Sequence, residues 1–217
     1  MTAARNAIRP AIPRPDLFLC GLLSVLGAVA AIAGDVITVR PNDDLTFVAS
    51  TLSDAAAGPE SLWMDLGMTG QGIALAACAV GLWRWRGGGL RFRAGCGMLA
   101  LTGALLITIA WRNAYGAGEP ALFVIHEPLV AVMGVGFTAA LILLARTLGE
   151  LDSGYHRFSF MALAVWIVAW PVFIVAPEAV RGAVERLAGF TLIIWLAIAG
   201  RILMRCGRGE RLDRGAL

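Results

Sequence analysis

Apolar residues in this chain neither alternate nor recur on one face. They come in six long blocks, separated by short stretches where charge collects. The blocks are Leu17–Val39, Leu62–Trp83, Ala94–Trp111, Ala121–Ala145, Phe158–Ala176 and Leu187–Met204. A helix needs about 20 apolar residues to cross the hydrocarbon core of a bilayer. Each block is near that length and apolar around its whole circumference, as helices facing lipid or one another in a bundle must be. The pattern predicts an all-α protein, a polytopic bundle of six transmembrane helices. It divides the chain into a segment 1–16, a transmembrane domain 17–206 with a long loop at 40–61, and a basic tail 207–217.

Composition agrees. Charged residues make up 15% of the chain, against about 25% in a typical soluble domain, and mean hydropathy is +0.76. These values exclude a water-soluble globule. The N-terminus has the basic start and apolar run of a signal peptide. The run is too long for one, however, and Asp35 follows it instead of a clean small-residue cleavage site, so it reads as a retained first span. Pro10, Pro13 and Pro15 keep the stretch before it non-helical. The four cysteines (Cys20, Cys78, Cys96, Cys206) fall in or beside apolar blocks. That placement predicts small packing residues rather than a disulfide framework.

Charge changes the picture by its distribution. All 18 basic residues are arginine, which together with abundant Ala and Gly suggests a bacterial source. Fourteen of them flank the blocks on one side. Arg40, Arg112, Arg181 and Arg186 lie on the other. Basic residues mark the cytoplasmic side of membrane helices. Both termini are therefore expected in the cytoplasm, and the protein in the bacterial inner membrane. Ten of the 15 acidic residues fall on the outer side. Inner arginines fix topology and meet anionic lipid; clustered outer acids have no such role and call for a structural or functional reason.

Within the blocks, Gly70, Ala74, Ala77 and Gly81 form a stripe of small residues on the second helix, and Ser24, Ala28, Ala31 and Asp35 form one on the first. Such stripes let helices approach closely. Packing inside the bundle is the first reading, a membrane-protein partner the second. Trp166, Trp170 and Trp195 lie away from the interfacial belts that Trp63, Trp111, Trp83 and Trp85 fit. They are expected in the core, or lining a groove for a lipid tail or flat apolar ligand.

Polar residues converge at the outer rim. The loop 40–61 carries Ser50, Thr51, Ser53 and Asp54, which are good capping and turn residues. "LTFVAS" (45–50) is apolar enough to fold back onto the bundle. Asp35, Asp65, Arg112, His126 and Glu127 sit near the same depth, where a charge is costly without a partner. An ion pair between Asp35 and Arg112 is the expected structural contact. Ser53, Asp54, Asp65, Arg112, His126 and Glu127 are the candidate ligand-binding set. His126 could serve as a zinc ligand or general base. But there is no HExxH or HxxxH, and His156 lies on the other side, so neither metal nor cofactor is expected. No Gly-rich phosphate loop, nucleophile elbow or CxxC occurs. "RWRGGGLRFR" (84–93) reads as a topology signal touching lipid headgroups rather than a nucleic-acid site.

The order of these features (a first span, an outer loop with "STLSD", "WMDLGM" leading into the second span, a histidine opening the fourth) resembles the bacterial domain-of-unknown-function family 998, itself similar to the Frag/DRAM/Sfk group. The resemblance covers residues 15 to 205 or so. One departure stands out: Ser53-Asp54 is followed by Ala55-Ala56-Ala57-Gly58 where the family pattern has Leu-Gly. The resemblance implies six helices with cytoplasmic ends and no established reaction. Three functions stay open. One is a non-enzymatic accessory, sensing or lipid- or small-ligand-binding protein, with membrane lipids as partners. The others are a small transporter and a membrane-embedded metal-dependent lipid hydrolase.

Overall fold

The computed structural model describes residues 12–57, 61–85, 89–116, 120–149 and 153–210; the side chains of 112–116, 120–125, 127, 146, 147, 149 and 153 are outside that description. Among the described residues there are seven helices and no strand: α1 Pro15–Val39, α2 Leu52–Ala57, α3 Ser61–Trp85, α4 Leu90–Gly116, α5 Pro120–Gly149, α6 Ser153–Val175 and α7 Glu178–Gly207. All but α2 are long and apolar enough to cross a membrane. The helices outrun their apolar blocks, most of all α7, which starts at Glu178 rather than Leu187. Hydropathy marks the solvent a segment needs, whereas the backbone ladder continues as long as each N–H finds its carbonyl.

The spans close into a ring in the order α1, α3, α4, α5, α6, α7, with α7 returning to α1. Packing is tightest where side chains are smallest. A Cβ on Gly27 would run into Ala74 and the Gly70 carbonyl, and one on Gly81 would lie 2.8 Å from Cys20 Cβ. The small stripe on α3 is thus largely covered by α1 within the chain. The core below is a continuous apolar cluster, with Leu75, Leu99, Phe137, Leu141, Leu144, Trp195 and Leu203 shut off from solvent. All four cysteines are free. Trp63 and Trp111 are exposed near one end of the bundle and Trp83 near the other, as interfacial belts require.

Two ends of the ring are closed differently. At one, the Arg14 N–H donates to the Gly207 carbonyl at 2.7 Å. Asp16 pairs with both Arg14 and Arg84, which ties α1 to α3 and α7. Beyond the spans, Arg208 and then Arg205 hold the Glu210 carboxyl below the usual carboxylate range by hydrogen bonding to it. At the other end the loop after α1 folds back over the ring and places α2 across its mouth.

Candidate functional site

That roof is built from local capping and one long-range anchor. Thr51 and Asp54 form a reciprocal pair: the Asp54 N–H donates to Thr51 Oγ1 at 3.1 Å and the Thr51 N–H to Asp54 Oδ2 at 2.8 Å. This is a capping box at the start of α2. Val39, Ala55, Ala56 and Met64 then form a small core, with Leu45 and Leu52 against it. The anchor is Arg186 on α7, only 5% exposed. Its Nε and Nη2 donate to Asp35 Oδ2 and Oδ1 at 2.9 and 2.8 Å. Its Nη1 donates to the carbonyls of Phe47 and Ser50 at 3.1 and 2.5 Å, and the guanidinium lies over the Phe47 ring. One cation therefore satisfies a buried carboxylate and holds down the loop.

The adjacent Glu185 accepts the Leu52 N–H at 2.7 Å. Gly182 lets the loop lie this close, because a Cβ there would collide with the Ser50 carbonyl. Asp35 thus has Arg186 for its partner; Arg112, the partner expected from sequence, has its side chain outside the described residues, as does Glu127.

Beneath α2, inside the ring, lies a cavity of about 100 Å³ bounded by every helix except α1. Ser53 and His126 meet at its mouth, with Ser53 Oγ 3.0 Å from His126 Nε2. Glu185 and Gln71 complete its polar lining. The α6 wall is aromatic. Trp166 meets Trp170 with centroids at 5.6 Å and Trp170 meets Phe173 at 6.0 Å, while Phe137 of α5, outside the lining, backs Trp166 edge-to-face at 4.9 Å. Trp166 Nε1 donates to the Gly134 carbonyl at 3.3 Å. Met68, Met133 and Leu192 line the apolar remainder.

Of the residues singled out from sequence, Ser53 and His126 come together at this cavity. Asp54 caps α2, exposed, and does not line it. Asp65 is buried on α3 with Oδ1 unpartnered among the described residues, also outside the lining. Three residues were missed. Gln71 is the one amide side chain in the apolar second block ("MTGQGIA"), and an isolated amide at that depth is itself a signal. Glu185 and Arg186 sit in "EAVRGAVERL", a proline-free run of helix formers that extends the last span. Among the described residues no group of three or more His, Cys, Asp or Glu side chains gathers as a metal site.

Six apolar helices around a roofed internal cavity define a multi-pass membrane protein with a pocket at one end of its bundle. No curated protein and no solved structure matches the chain. A family model does, over residues 25–202, and the chain belongs to that family, described as "Protein of unknown function (DUF998)".

Proposed function

We propose that this protein is a non-enzymatic binding protein for an amphiphile, whose polar end is held in the cavity under α2. Its polar group would meet Ser53, His126 and Glu185, and its apolar part would lie along Trp166, Trp170 and Phe173. The carrying observation is the cavity itself: a mostly apolar chamber with a few polar groups gathered on one side, the usual make-up of a small-molecule site. The arginine bias supports an orientation with α2 on the outer face of a bacterial inner membrane. Below the cavity, Leu196, Leu203, Leu141 and Leu144 are fully packed, which favours a binding site over a transport path.

The test is native mass spectrometry of the protein extracted in mild detergent. Wild type should retain a bound amphiphile. Gly189→Leu, which projects a side chain toward Leu52 across the cavity, should lose it while staying folded. Equal occupancy in both would sink the reading.

The 3.0 Å contact between Ser53 and His126 favours one second reading, acyl transfer with Ser53 as nucleophile and His126 as base. A fluorophosphonate probe separates the two. Labelling of Ser53 that disappears in His126→Ala would support hydrolysis; an unlabelled protein supports binding.

A further inference from the structure

Gln71 is 8% exposed, and its amide makes no hydrogen bond among the described residues, yet it lines the cavity. A primary amide carries two donors and an acceptor, and placing it in a largely apolar cavity with no protein partner is costly unless water or an occupant supplies one. Leucine would fill the same volume without that cost. On the facing wall the indole nitrogens are turned to α5: Trp166 Nε1 donates to the Gly134 carbonyl, and Trp170 Nε1 is buried against Gly134. The Gln71 amide is therefore the group left for an occupant to satisfy.

Its position narrows what that occupant carries. Gln71 lies ten residues into α3 and His126 six into α5, about 15 Å and 9 Å along their axes. Gln71 is thus below the Ser53–His126 mouth, among Met68, Leu106 and Met133. A charged group is disfavoured in such surroundings, whereas a plain hydrocarbon tail would leave the amide unpaired. A neutral carbonyl oxygen can accept from the amide N–H.

We propose that the cavity selects an amphiphile bearing a neutral acyl carbonyl, an ester or amide, just below its polar head, and that Gln71 is the group that recognises it. This rests on the amphiphile reading above and adds the chemical class.

The experiment measures binding of three added probes to the full-length protein in detergent by native mass spectrometry. They are 1-monooleoylglycerol (ester), N-oleoylethanolamide (amide) and 1-O-oleylglycerol, the ether lacking the carbonyl. One neutral hydrogen bond in a water-excluded site is worth roughly five- to tenfold in affinity, so the ester and amide should bind wild type about tenfold more tightly than the ether. Gln71→Leu should bring ester and ether to near equality by weakening the ester, with ether binding and thermal stability kept. Equal binding of ester and ether by wild type would overturn the carbonyl assignment while leaving the amphiphile reading standing, with water serving Gln71. A preference that survives in Gln71→Leu would also overturn it, as would a large loss of stability in that variant, which would mark Gln71 as structural. Retention of none of the three probes would bring down the amphiphile reading itself.

Discussion

Arg186 joins a buried carboxylate and the loop after α1 to α7. Its fork is matched to both oxygens of Asp35, and its remaining donors reach backbone carbonyls of the loop. Removing one partner of such a buried pair strands the other charge, which costs about 3–5 kcal/mol. Arg186→Leu should therefore destabilise the detergent-solubilised protein by about that much in a denaturation series. Asp35→Asn combined with Arg186→Leu should recover part of the loss, since no charge is then left buried. The same single substitution should expose the 45–57 segment to limited proteolysis, because Phe47 and Ser50 lose their anchor. Sequence reading recognised that Asp35 needed a cation at this depth. It named Arg112; Arg186, which it did not weigh, lies against Asp35, because partnering depends on which helix ends meet.

At the scale of elements, α2 is the part the apolar blocks hid. Six residues are too few to show a hydrophobic period, yet "TLSD" carries a capping pattern that a reader can find. Thr51→Ala removes one half of the box and should cost about 1 kcal/mol, felt locally. Hydrogen exchange should show faster opening of residues 52–57 with α3 to α7 unchanged. The α1–α3 crossing behaves differently, since its contact is backbone against small side chain. Gly27→Leu should disrupt it broadly, reducing the yield of folded protein in size-exclusion chromatography, whereas Gly97→Ala, where a Cβ would meet nothing within 4 Å, should be silent. The stripes of small residues were visible in sequence; which helix each one faces was not.

For the whole molecule, the ring leaves its cavity under α2 and seals the opposite end with Arg14, Asp16 and Arg84. The two ends are therefore distinct, and the proposed orientation puts the cavity outside. A tag after Leu217 should be inaccessible in intact cells and become accessible on permeabilisation; a tag reached from outside would reverse the map. Gathering Ser53, His126, Gln71 and Glu185 around one space required α2, α5, α3 and α7 to meet. The candidate site was thus legible only in part, as Ser53 and His126, while Asp54 turned out to serve the cap and Gln71 went unmarked.

Class, span number and the need for a bilayer follow from the sequence alone, because they are sums over contiguous residues: each block is apolar enough by itself, wherever its neighbours lie. Tertiary structure decided the pairings, Arg186 with Asp35 and Ser53 with His126, and with them the cavity. Those contacts join positions 151 and 73 residues apart. Hydropathy says only that a buried charge or hydroxyl needs a partner; the close approach of particular helices decides which residue supplies it.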